Sequence, residues 1–97
     1  KPWQFKVTLT RSGQDYTVNN PTPYHVIISD ASTQKKGLTA AGFKPLVMPP
    51  KTSQPLKAKM ASAPVLTYIN DYGARMPLIF RCEGNTCKVD EDQSSKG

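Results

Sequence analysis

Between residues 3 and 10 apolar and polar side chains alternate, with Trp3, Phe5, Val7 and Leu9 on one side and Gln4, Lys6 and Thr8 on the other. A period of two predicts a half-buried strand. The same period, or a short run of β-branched and aromatic residues, recurs at 16–18, 24–29, 43–48, 56–60, 65–70, 77–82 and 87–89. Turn formers separate these segments: "RSGQD" at 11–15, "NNPTP" at 19–23, a polar loop at 30–42, "PPKTSQP" at 49–55 and "DYGA" at 71–74. Pro21 and Pro23 lack an amide proton and exclude a central ladder position, and Pro45 pushes its segment towards an edge. Seven or eight short antiparallel strands with frequent turns predict an all-β sandwich. The chain has 97 residues, which predicts a single domain. That domain is expected over 1–89, followed by a polar, disordered tail at 90–97.

The only cysteines, Cys82 and Cys87, flank "EGNT". Gly84 and Asn85 tolerate positive φ, and alternation on both sides predicts a hairpin. A four-residue loop sets the two cysteines opposite each other, within the reach of a disulfide. Zinc needs three or four ligands, and a redox dithiol favours C-x-x-C at a helix start; neither pattern is present. A cross-strand disulfide implies an oxidising compartment. The same register sets Arg81 against Lys88, a like-charged pair expected to face water.

Charge changes the picture little. The net charge is +6, and residues 1–89 carry 12 basic against 4 acidic side chains. The lysines are scattered and no aromatic run accompanies them, so nucleic acid is not an expected partner. No segment reaches the roughly 18 apolar residues of a membrane span. Lys1 is not an initiator Met, so the chain reads as a mature or excised piece. Catalytic motifs are missing: there is no nucleophile elbow, P-loop or G-x-G-x-x-G. His25, the single histidine, reads as a half-exposed strand residue, and Asp15, Asp30 and Asp71 sit where aspartate serves a turn. An enzyme, a metal site and a cofactor are therefore not expected.

Three stretches carry a resemblance. "VNNPTPYHVIIS" (18–29), "PLVMPPKTSQPLK" (45–57) and "LTYINDYGARMPLIFRC" (66–82) closely resemble the C-terminal domain of periplasmic pilus-assembly chaperones, the PapD-like family. The resemblance spans residues 2 to about 89 and implies an immunoglobulin-like sandwich. The acidic tail departs from the family pattern. In that family two such domains form an L. The N-terminal domain lends a strand to an incomplete pilus subunit, and the C-terminal domain forms the other wall of the cleft and touches subunit and outer-membrane usher. Asn20, Pro21, Thr22, Pro23 and Tyr24 match one family motif; Asn70, Asp71, Tyr72 and Gly73 match another. The first also reads as a strand-breaking bend, the second as a hairpin turn with glycine at positive φ. The resemblance implies that Asp71 lines the interdomain cleft within an ion-pair network and that Arg75 lies near it. The alternative is a free-standing adhesion or ligand-binding module, distinguishable by what is encoded upstream of Lys1.

Overall fold

The structure, a computed structural model, describes residues 2–13, 15–32, 39–40, 42–56 and 64–95. It is all-β with eight antiparallel strands: β1 Thr8–Ser12, β2 Asp15–Asn20, β3 Val26–Ser32, β4 Leu46–Met48, β5 Thr52–Leu56, β6 Val65–Ile69, β7 Arg75–Glu83 and β8 Thr86–Val89. They are hydrogen-bonded in the order β4-β3-β6-β7-β8-β1-β2-β5. The long strand β7 joins two layers. Its first half pairs with β6 in the layer that holds β3 and β4, and its second half pairs with β8 in the layer that holds β1, β2 and β5. The layers close on a core of Val7, Leu9, Tyr16, Val18, Val26, Ile28, Met48, Leu66, Tyr68, Leu78 and Phe80, all buried. Alternate positions along β2, β6 and β7 supply it, as the period of two requires.

Three expectations change. The first segment is not one strand: residues Trp3–Lys6 form a single 3-10 turn and β1 starts at Thr8. The amide of Phe5 donates to the Pro2 carbonyl at 3.1 Å and that of Val7 to the Gln4 carbonyl at 3.1 Å. Neighbours β2 and β8 reach only as far as Thr8, so the preceding residues have no ladder to join. Trp3 and Phe5 still pack against the core, from its rim. Second, residues 52–55, expected as loop, join Leu56 in strand β5. Pro55 is tolerated because, among the described strands, β5 is an outer edge and pairs with β2 alone. Third, β3 starts at Val26, which leaves His25 exposed ahead of the strand, and runs on to Ser32 past a bulge between Ile28 and Asp30. Apart from Leu56, the strand expected at 56–60 lies outside the described residues.

β4 is the opposite edge, as Pro45 suggested, and the Gln54 amide reaches from β5 to the Val47 carbonyl at 3.2 Å. The tail also differs from expectation. Glu91–Ser95 form a short helix, α1, and Ser94 is buried.

Cys82 and Cys87 are direct ladder partners joined by a disulfide, and Arg81 opposes Lys88 with both exposed. Gly84 turns the hairpin at φ +60. A cross-link closing so short a loop constrains the unfolded chain weakly, by about 2 kcal/mol in the chain-entropy treatment. Reduction is therefore expected to lower stability by that amount in urea titrations, while the near-ultraviolet circular dichroism of the folded state persists. Complete unfolding on reduction would contradict this.

Candidate functional site

The first motif is a hydrogen-bonded knot at the end of β2. Pro21 and Pro23 stop the ladder, and the side chain of Asn20 turns inward, 1% exposed. Its amide nitrogen is within bonding distance of three carbonyls: Tyr24 at 2.8 Å, Pro49 at 3.1 Å and Met48 at 3.3 Å. Its oxygen accepts from the Thr22 amide at 3.1 Å and from the Thr22 hydroxyl at 2.6 Å. The Thr22 carbonyl in turn accepts the Lys51 amide at 3.2 Å. One buried carboxamide thus ties the bend after β2 to the link between β4 and β5. Buried polar groups must find partners in this way. The knot presents Tyr24 outward, 55% exposed.

The second motif is the loop between β6 and β7. Asn70 closes it: its side-chain oxygen accepts the amides of Tyr72 and Ala74, both at 2.9 Å, and its own amide donates to the Ala74 carbonyl at 2.9 Å. Gly73 lies at φ +81, a conformation that costs a residue with a Cβ. The loop leaves Asp71 and Tyr72 free of the backbone; Tyr72 is 95% exposed.

Trp3 joins the motifs. Its indole nitrogen donates to the Asp71 carboxylate at 3.3 Å, and its ring packs on that of Tyr24 with centroids 5.0 Å apart and planes tilted by 49°. Sequence reasoning missed Trp3 as a site residue. A regular strand would have used it as core, and only the 3-10 turn brings it to the rim. Asp71 also acts beneath the surface. Burial first, and the nearby Asp71 charge second, push the Tyr68 phenol above its ordinary pKa.

The strand register extends this end of the molecule. Ile27 pairs with Val47, Ile69 pairs with Arg75, and the pairing of Ile28 with Tyr68 sets Ile27 abreast of Ile69. The outer row Val47, Ile27, Ile69, Arg75 runs beside the two loops. Among the described residues, the exposed large hydrophobics Tyr24, Ile27, Val47 and Tyr72 all lie along it or above it. Apolar surface gathered in this way, edged by one acid and one base, suits a protein contact. Arg75 is exposed at the start of β7 and no ion pair joins it to Asp71. Among the described residues no group of three histidines, cysteines or carboxylates could hold a metal, and no helix is long and apolar enough to cross a membrane.

Comparison with known proteins gives the same direction. The family model for pili assembly chaperone PapD, C-terminal domain, matches residues 2–80. The chain is 72% identical over 96 residues to the probable fimbrial chaperone YfcS of Escherichia coli (strain K12), covering 99% of this chain and 38% of that protein. It is 33% identical over 91 residues to the chaperone protein PapD of Escherichia coli, covering 94% and 38%. It is 34% identical over 100 residues to the chaperone protein PmfD of Proteus mirabilis (strain HI4320), covering 97% and 39%. The chain thus spans less than two fifths of each of these relatives. Both loop motifs and strands β1 to β6 lie within the region that the family model matches, and the family is one of chaperones and not of enzymes. The chain belongs to the PapD C-terminal domain family of pili assembly chaperones.

Proposed function

We propose that this chain is the C-terminal domain of a periplasmic chaperone that caps and stabilises pilus subunits by donor-strand complementation and delivers them to the outer-membrane usher. Its own part is to form one wall of the interdomain cleft, through Asp71 and Arg75 with Trp3, Tyr24 and Tyr72 beside them. The observation that carries this reading is the joining of two distant motifs at Trp3, which gathers two exposed tyrosines and a carboxylate at one end of the sandwich. Exposed apolar side chains gathered at one end and edged by charge suit a contact with another protein surface. A second domain seated there would bury Tyr72 and find a charge partner for Asp71. The disulfide suits an oxidising compartment such as the periplasm.

Donor-strand complementation requires a long strand with an open edge to lend. The strands described here serve the sandwich, so the lending strand is assigned to a preceding domain. The isolated domain is accordingly expected not to hold a subunit. Co-expression with a pilus subunit from the same operon, followed by size-exclusion chromatography, checks this. The two-domain chaperone should co-elute with the subunit and this domain should elute alone. Stoichiometric co-elution with the isolated domain would overturn the division of labour.

A further inference from the structure

Asp71 stands at the rim with little to hold its side chain. The Asn70 carboxamide fixes the loop through the amides of Tyr72 and Ala74 and does not touch the Asp71 carboxylate. No ion pair joins Arg75 to it. Among the described residues, the one hydrogen bond to that carboxylate comes from the Trp3 indole, at 3.3 Å to Oδ2. An exposed aspartate otherwise spreads over three staggered χ1 wells. A donor bound to one oxygen selects among them and leaves the other oxygen, Oδ1, open to a further donor.

Trp3 is itself firmly placed. Pro2, at φ −60 and ψ 138, caps the 3-10 turn, and two backbone hydrogen bonds of 3.1 Å close it. Gln4 inside the turn is 3% exposed, and the Trp3 and Phe5 rings pack against the core. The indole also meets the Tyr24 ring, and the Tyr24 carbonyl accepts from Asn20 at 2.8 Å and from the Thr22 hydroxyl at 3.2 Å. A chain of contacts therefore runs from the buried knot through Tyr24 and Trp3 to a carboxylate at the surface. A core role does not account for it. Phenylalanine would fill such a rim position without an N–H, and a long, exposed hydrogen bond contributes little to folding. What the bond supplies is orientation: a group held in one conformer beforehand loses less freedom on association.

We propose that Trp3 is a positioning residue, whose indole N–H aims the Asp71 carboxylate in advance at a cationic group that the preceding domain presents. This role rests on the proposed cleft and explains how an exposed turn aspartate is set for one partner. Trp3 lies on the arm that leads into β1, so the same contact ties the direction of that arm to the carboxylate.

Trp3→Phe keeps a ring beside Tyr24 and removes the donor. In this chain, three-bond Hα–Hβ couplings should show a single Asp71 rotamer, and averaged rotamers once Trp3→Phe is introduced. In the two-domain chaperone, Trp3→Phe should speed hydroxyl-radical oxidation of Tyr72 by about 3-fold or more, the low end of coupling between residues in contact. In an Asp71→Ala background it should add nothing, since no carboxylate remains to be aimed. Should Trp3→Phe fail to fold, benzothienylalanine at the single tryptophan of this chain puts sulfur in place of the N–H and is expected to release the same rotamers. A single Asp71 rotamer that survives loss of the donor overturns the proposal, as do averaged rotamers in the unaltered chain. So does Tyr72 oxidation that Trp3→Phe leaves unchanged, or changes equally with and without the Asp71 side chain, the mark of a packing role. Unfolding with both replacements overturns it too, since Trp3 would then be a core residue. Equal oxidation of Tyr72 in this chain and in the unaltered two-domain chaperone removes the cleft and the proposal together, even where the Asp71 rotamers respond to Trp3; the two failures are thus distinct.

Discussion

Replacing Asn20 by alanine is expected to lower the stability of the domain by about 3–5 kcal/mol, a large share of what a domain of this size possesses. The side chain ties the bend to the link after β4 with five hydrogen bonds, and second contacts, from the Thr22 hydroxyl to the Tyr24 carbonyl at 3.2 Å and from the Thr52 hydroxyl to the Pro49 carbonyl at 2.6 Å, replace them only in part. Its loss strips the Thr22 amide and hydroxyl of their acceptor and leaves the Tyr24, Met48 and Pro49 carbonyls without the carboxamide donor. Each buried group left unsatisfied costs about 1–3 kcal/mol, and partial hydration of some keeps the sum below the simple total. Asn19→Ala provides the comparison. Asn19 bonds to Thr8 at 3.2 Å, Thr10 at 2.9 Å and Ser53 at 2.7 Å, but on the outer face of the sheet where water can replace it. Its loss should cost no more than about 1 kcal/mol. Urea titrations followed by Trp3 fluorescence measure both. Equal costs for the two substitutions would show that the knot is not what sets the bend.

Asp71→Asn is expected to behave differently in two contexts. In the isolated domain Asp71 is exposed and accepts one long hydrogen bond from Trp3, which an asparagine oxygen can also accept. The change should stay within about 0.5 kcal/mol, as for other surface substitutions. In the two-domain chaperone the proposed cleft places a basic residue against this carboxylate, out of water. Removing the charge there should cost about 3 kcal/mol, the low end for leaving a buried charge unpaired. It should also lower the amount of chaperone in cells. Denaturant melts of both proteins, with and without the substitution, make the comparison. Equal effects in the two would reduce Asp71 to a local turn residue.

Much of this fold could be read from alternation alone. Residues 65–69 and 77–82 repeat with period two because one face of each strand lies on the core, and the hairpin at Gly84 and Asn85 is a local event with local chemistry. The disulfide followed from that hairpin. What could not be read depended on partners distant in sequence. The alternation from Trp3 to Leu9 does not reveal that no strand reaches past Thr8, so the 3-10 turn was hidden. Residues 52–56 carry proline and polar side chains because they form an edge, and an edge strand resembles a loop when its partner is unknown. α1 is polar apart from its fit against Ile79, and only one buried serine distinguishes it from a solvated tail. At the candidate site, both motifs were legible as specific runs of residues. That they meet at Trp3 was not, because the contacts to Tyr24 and Asp71 cross the whole topology.

The central claim is that the end of the sandwich bearing Trp3, Tyr24, Asp71 and Tyr72 is covered by a second domain in the working protein. Hydroxyl-radical footprinting of the isolated domain and of the two-domain chaperone, read out by mass spectrometry, tests it most directly. Tyr72 and Tyr24 should be oxidised readily in the isolated domain and be protected in the two-domain protein, together with Trp3, while exposed Lys88 and Glu83 on the opposite layer keep their reactivity. Equal oxidation of Trp3, Tyr24 and Tyr72 in both proteins would contradict the account.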